Sequence, residues 1–230
     1  MKIGNKMKRL KPLQLIKDRV FDELKKDIIN NTLLPGTKLK EEDIARTLGV
    51  SRTPVREAIN RLEMEGFVRL IPQRGAYVAR ATERDVEEIF ILRESLEGLA
   101  ARLAAPRITD AIVGKLKTCV EGFSELEDEL ELFHAYAKKN ALFHHTILRA
   151  SGSERLIRVT SDLFDYSHSF LLSPVGFADR FRVYLSQHKE IIGALEARNS
   201  ARSEELVSAH ISRVRDGVMN NIEWFLNPRR

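Results

Sequence analysis

Apolar positions recur at helical spacing through most of the 230-residue chain. Between Pro12 and Gly36, Leu13, Ile16, Val20, Leu24 and Ile28 share one helical face, and Pro35-Gly36 ends the segment in a turn. Glu41 to Gly49 predicts a short helix with Ile44, Ala45 and Leu48 on its apolar side and Gly49 at its C-terminal cap. After Val50, the residues Val55, Ala58, Ile59 and Leu62 form the stripe of a third helix. From Phe67 to Arg80 the period changes to alternation about Pro72-Gln73-Arg74-Gly75, the pattern of a β-hairpin. Beyond Thr82 no strand pattern returns.

Thr82 with Asp85 three positions on reads as a capping-box start, with Asp in the place usually held by Glu or Gln. Helical periodicity then predicts helices over about 83–104, 109–125, 128–150, 154–173, 178–198 and 201–226. They are separated at Pro106, Glu127, Ser151-Gly152-Ser153, Pro174 and Asn199-Ser200, and Pro228 follows the last. The expected fold is mainly α. Residues 1–80 make a winged helix-turn-helix of three helices and a hairpin, and residues 81–230 an all-α six-helix bundle. A short linker, about Ala79 to Arg84, joins them.

Composition narrows the class. With 43% hydrophobic and 31% charged residues the chain matches soluble globular proteins. No run approaches the roughly 18 apolar residues of a membrane span. The basic start "MKIGNKMKRLK" has no apolar segment after it, so it does not read as a secretory signal. The lone Cys119 builds neither a disulfide frame nor a cysteine zinc site; it reads as a core residue and points to a cytoplasmic protein. Charge is uneven: residues 1–80 hold 18 Lys+Arg against 10 Asp+Glu, the remainder 20 against 23. A basic first third suits a polyanionic partner.

The third helix carries the chemistry for such a partner. Arg52, Arg56 and Asn60, four residues apart, lie off the apolar stripe and face water. Ser51 stands at the N-cap and Pro54 in the first turn, where its missing N–H is tolerated. The leading end of the helix thus presents two guanidiniums and the Thr53 hydroxyl. Arginine pairs bidentately with guanine O6 and N7 in the major groove, and a helix N-terminus with a hydroxyl holds phosphate. In the hairpin, Gly75 permits close backbone approach, and Arg74 beside it can reach a minor groove or a phosphate. Helix, turn, helix and basic hairpin together make a double-stranded-DNA reader.

The stretch "PGTKLKEEDIARTLGVSRTPVREAINRLEMEGFVRLIPQRGAYV", Pro35 to Val78, resembles the N-terminal domain of GntR-family bacterial transcription regulators. The resemblance implies that Arg52, Thr53 and Arg56 contact operator DNA and that Gly75 lies at the wing tip. Glu42 departs from the family, where a relative carries a DNA-contacting Arg. Arg46, one turn later, is a candidate substitute.

In the second region His144, His188 and His210 attract attention by position. His188 lies 11 residues before the turn at Asn199 and His210 lies 11 after it, so an antiparallel helix pair puts them at one height. Asn140 and His144 share a helical face. Three imidazoles and an amide oxygen converging would suit Zn²⁺, Ni²⁺, Mn²⁺ or Fe²⁺. Hydrogen-bonded core histidines fit the same spacing, which leaves both readings open. His145 points about 100° away from His144, and His134 and His168 lack comparable symmetry.

"NALFHHTILRASGSERL" (from Asn140), "SQHKEIIGAL" (from Ser186) and "AHISRV" (from Ala209) resemble the FCD effector-binding domain of the FadR subfamily. Many members of that domain hold a divalent metal with an Asp-x-x-x-His pair and two later histidines. The resemblance implies a metal set of Asn140, His144, His188 and His210, with Asn140 in the Asp position and one negative charge fewer. "EIFILRESLEGLAARLAA" (from Glu88) resembles the first helix of that domain and makes Arg93 a candidate for an effector carboxylate. The alternative is a surface ion pair of Arg93 with Glu97 at i,i+4.

The expected protein is therefore a homodimeric repressor on a pseudo-palindromic operator, controlled by a small carboxylate resting on a metal. Three rivals remain: a sensor with metal itself as effector, a metal-dependent enzyme, and a protein-binding module. Against the enzyme, there is no H-E-x-x-H, and Glu190 is rotated off the face of His188.

Overall fold

The computed structural model describes residues 15–123, 128–171 and 177–226. The chain divides into two compact units, Met1–Arg80 and Ala81–Arg230. In the first, α1 (Ile16–Ile29) buries Val20, Phe21, Leu24 and Ile28. They meet the stripe expected on α3 (Arg52–Met64), where Val55, Ala58, Ile59 and Leu62 are buried. Between them runs α2 (Glu41–Leu48), which ends on Gly49 in the left-handed conformation at φ 65°. Ser51 is the N-cap of α3 by backbone geometry, but its side chain makes no capping bond.

The hairpin is present as β2 (Val68–Ile71) and β3 (Gly75–Val78), paired antiparallel from Val68↔Val78 to Ile71↔Gly75. A third strand, β1 (Lys38–Leu39), pairs with the other edge of β3, giving the order β1-β3-β2. Two residues carry no alternation signal, which is why this strand is invisible in the sequence. It is held from outside: the Gly36 N–H donates to the Val78 carbonyl, and the Val78 N–H donates to the Thr37 carbonyl, both at 2.9 Å. Gly75 leaves the turn with φ 100°, a conformation that a residue with a Cβ adopts only under strain.

The second unit is helical. Its elements are α4 (Glu83–Ala104), α5 (Asp110–Thr118), α6 (Glu129–Ala150), α7 (Glu154–Leu171), α8 (Phe177–Glu196), α9 (Ser200–Met219) and α10 (Ile222–Leu226). Thr82 and Asp85 close the capping box on α4. Two boundaries differ from expectation. The helix expected over 109–125 stops at Thr118, because the chain tightens there: the N–H groups of Cys119 and Val120 bond to Leu116 and Lys117 carbonyls, tucking Cys119, Val120 and Phe123 inward. The helix expected over 201–226 breaks at Asn220 and Asn221. The Asn221 side-chain amide donates to the Gly217 carbonyl at 3.0 Å, in competition with the backbone ladder. The expected breaks at Glu127 and Pro174, Pro228, and the start of the first helix lie outside the described residues.

The main core gathers Val86, Phe90, Ala101, Ala104, Leu116, Phe143, Ile147, Ile191, Leu195, Val207 and Ile211. Within it α4 lies close along α9. A Cβ at Gly98 would collide with the Ser208 hydroxyl, which donates to the Glu94 carbonyl at 3.1 Å. Among the described residues no helix is long and apolar enough to cross a membrane.

Candidate functional site

Burial of one side of α3 turns the other side out. Arg52 and Arg56 are each 59% exposed, and Thr53 and Asn60 are exposed as well. Both guanidiniums converge on a residue that the sequence reading passed over. Glu41, in the first turn of α2, receives Arg56 as a fork: Nε donates to Oε1 at 2.9 Å and Nη2 to Oε2 at 2.8 Å. Arg52 Nη2 lies 3.7 Å from Oε2. The hydrogen bond from Arg56 is the main cause holding the Glu41 carboxyl below its ordinary range. No local spacing links Glu41 to residues 11 and 15 positions later; only the packing of α2 on α3 does.

These groups edge a depression of about 580 Å³ whose lining includes Lys38, Lys40, Glu41, Arg52, Arg56 and Gly75. Arg46 is exposed and occupied by Asp43 on its own helix, and Glu42 is exposed. Arg74 projects from the hairpin turn; its carbonyl accepts the Tyr77 hydroxyl at 3.3 Å.

In the second unit His144, His188 and His210 do converge. They are 5%, 1% and 2% exposed, and a ligating nitrogen of each lies within 4.8 Å of the others. His188 Nε2 and His210 Nε2 are 3.2 Å apart. Phe143 stacks on His188 at 4.1 Å between centroids. Tyr136 lies parallel on it at 6.2 Å, and Tyr184 meets His210 edge-on. Burial, followed by repulsion among the rings, pushes the His188 and His210 pKa values well below normal, so both rings are neutral at pH 7.

The outer nitrogens are engaged. His144 Nδ1 donates to Glu97 Oε2 at 2.7 Å, and His210 Nδ1 donates to Gln187 Oε1 at 2.9 Å. Such partners set the tautomer and leave Nε2 of both rings as the nitrogen free for the cluster. Neutral, oriented imidazole nitrogens are what a borderline divalent metal takes, so this donor set fits one. Asn140 is half-buried one turn before His144. His134 is exposed, and the His168 side chain lies outside the described part. His145 sits apart against Phe164.

Arg93 forms the pair with Glu97, Nε to Oε1 at 2.7 Å, but not on the surface: the two residues are 3% and 5% exposed. Its Nη1 donates to the Ser167 hydroxyl at 3.0 Å, and its guanidinium lies 4.8 Å from the Phe164 ring centroid. Burial alone would raise the Glu97 carboxyl, but Arg93 and His144 hold it at about 2. A continuous Arg93–Glu97–His144 chain therefore backs the cluster. Glu97 and Gln187 were not singled out as site residues. The i,i+4 spacing from Arg93 was the one available signal for Glu97, and it says nothing of depth.

An exposed arginine pair on a winged helix-turn-helix, followed in the chain by a helical unit, is the architecture of a DNA-binding regulator. The family models agree. Residues 16–78 match the model of bacterial regulatory proteins of the gntR family, and residues 88–213 match the FCD domain. The chain belongs to the gntR family of transcription regulators and carries an FCD domain. It is 27% identical over 233 residues to the HTH-type transcriptional repressor RspR of Escherichia coli, covering 94% of this chain and 96% of that protein. It is 28% identical over 202 residues to the HTH-type transcriptional repressor GlaR of the same organism, covering 82% and 89%. The E. coli McbR/YncC structure shares the fold with a TM-score of 0.75 at 22% identity, covering 91% of this chain and 99% of that one. RspR and GlaR are both named as transcriptional regulators, not enzymes.

Proposed function

We propose that the protein is a cytoplasmic homodimeric repressor of the FadR type whose operator affinity is set by a small carboxylate bound on a metal. Residues 1–80 serve as the DNA-binding unit and residues 81–230 as the effector and dimerisation unit. Arg52 and Arg56 read guanine edges in the major groove, while Ser51, Thr53 and the start of α3 hold phosphate. Arg74 and Gly75 form the wing contact, and Arg46 adds a phosphate contact in place of Glu42. A two-fold dimer places two α3 copies on a pseudo-palindromic site.

The observation that carries the effector half is the convergence of three buried imidazoles within 4.8 Å. His144, His188 and His210, with Asn140 beside them, would hold Zn²⁺, Ni²⁺, Mn²⁺ or Fe²⁺. The metal would supply a Lewis-acid point for a carboxylate. Arg93, already matched by Glu97, is assigned to supporting His144 rather than to the effector. Naming of two relatives as repressors supports repression. Effector binding shifts operator affinity by no more than its preference between the two states.

The test is metal content of the purified protein and its His188→Ala variant, with operator binding followed by gel shift while small carboxylates are titrated. The variant is expected to lose the metal and the response while still binding the operator. Stoichiometric metal retained in His188→Ala would move the site elsewhere. The same cluster also supports metal itself as the effector. Operator affinity that responds to Zn²⁺ with no organic ligand present would favour that reading.

A further inference from the structure

The first unit carries two kinds of cation. Every Lys or Arg of α2 and α3 already has an acid: Arg46 has Asp43, Arg52 and Arg56 share Glu41, and Arg61 has Glu65. The sheet differs. Among the described residues, Lys38 on β1, Arg69 on β2 and Arg74 in the turn pair with no carboxylate.

Strand register puts two of these in line. Lys38 and Arg69 both stand opposite Tyr77 on β3. Opposite residues share a face, so Lys38, Tyr77 and Arg69 make a row across all three strands. Ala76 and Val78, on the other face, are buried, while Lys38 and Arg69 are exposed, so the row looks outward. At about 4.8 Å per strand the two cations start about 10 Å apart. Tyr77 spaces them: its ring centroid lies 5.7 Å from the Lys38 ammonium, and its hydroxyl is held by the Arg74 carbonyl. The Lys38 arm passes over Gly75, with Cε 3.6 Å from where a Cβ would stand. Lys38 also lines the depression edged by Arg52 and Arg56, so the row continues the exposed face of α3.

An unmatched cation takes a phosphate readily, since only counterions leave. An arginine already on a carboxylate must give it up or hold the phosphate beside a negative charge. We infer that the outer face of this sheet is a phosphate-binding surface, with Lys38 and Arg69 gripping the backbone of the duplex that α3 enters. The row supplies affinity that ignores sequence, and the α3 arginines supply preference. This rests on the DNA-binding reading above and divides its two tasks between two elements.

The test uses the full-length protein, a mixed-sequence duplex, and the duplex that the wild type selects from a random library. Affinity for both is measured by fluorescence anisotropy across a KCl series. Lys38→Ala combined with Arg69→Ala, checked for fold by circular dichroism, is expected to weaken both duplexes about tenfold or more. It should also flatten the slope of log affinity against log salt by about 2, one unit per lost phosphate contact. Preference for the selected duplex should stay within about twofold of wild type. Lys38→Arg combined with Arg69→Lys keeps both charges and should keep the wild-type slope. An unchanged slope in the double alanine variant overturns the row, and so does a loss confined to the selected duplex. Arg56→Ala should instead erase the preference and leave most of the slope. If preference survives Arg56→Ala while the double alanine variant flattens the slope, the groove assignment falls and the row stands. If the wild type binds neither duplex, both fall.

Discussion

Both units set arginine against glutamate, and to opposite ends. At the surface, Glu41 gathers Arg56 and Arg52 while both arginines stay 59% exposed. In the bundle, Glu97 gathers Arg93 at 3–5% exposure and passes its second oxygen to His144. The functional groups are the same and the surroundings differ. Water screens the first cluster, so opening it costs little, and an incoming phosphate or guanine edge can take the place of Glu41. The second has no water to fall back on, so removing one member strands a buried charge. The surface arrangement is exchangeable, and under the proposed function it orients side chains for DNA. The buried one is fixed, and under the same proposal it orients a ring for a metal.

The sharpest way to break this contrast is Glu97→Ala. It strands Arg93 and should destabilise the second unit by about 3–5 kcal/mol, read by urea denaturation. A loss below about 1 kcal/mol would mean that water reaches the pair. Gly98→Ala tests the close passage of α4 along α9, next to Glu97 in the chain. The Ser208 hydroxyl must turn away and give up its bond to the Glu94 carbonyl, while alanine gains about 1 kcal/mol of helix propensity, so the net change should stay within about 1 kcal/mol in the same assay. Arg56→Ala should leave the melting temperature unchanged and weaken specific operator binding about tenfold or more. A normal gel shift at physiological salt would remove Arg56 from the groove. The smallest effect belongs to Glu41→Gln, which keeps the shape and removes the charge. Stability should not change, and the ratio of specific to non-specific DNA affinity should fall about two- to fivefold. An unchanged ratio would make Glu41 a bystander.

Much of the fold was legible because it is local. The stripe Val55, Ala58, Ile59, Leu62 on α3 needs only the helical period, and the same period turns Arg52 and Arg56 outward. The capping box at Thr82 and the left-handed Gly49 are short-range chemistry written in neighbouring residues. The equal spacing of His188 and His210 about Asn199 anticipated their meeting, since a tight helix pair has few ways to align. Where the reading ran long, at Thr118 and Asn220, apolar periodicity continued past a turn that backbone bonding imposed.

The chain's own pattern thus determined the elements, the outward arginines, and the alignment of His188 with His210, because each depends on residues within a few turns of one another or of a shared turn. Only the tertiary structure decided which carboxylates serve them. Glu41 reaches Arg56 across 15 positions, and Glu97 reaches His144 across 47, by the packing of separate helices. Burial depth was decided at the same level: Arg93–Glu97 reads as a surface pair by spacing, and it is a core pair because α6 and α7 close over it with His144 and Ser167.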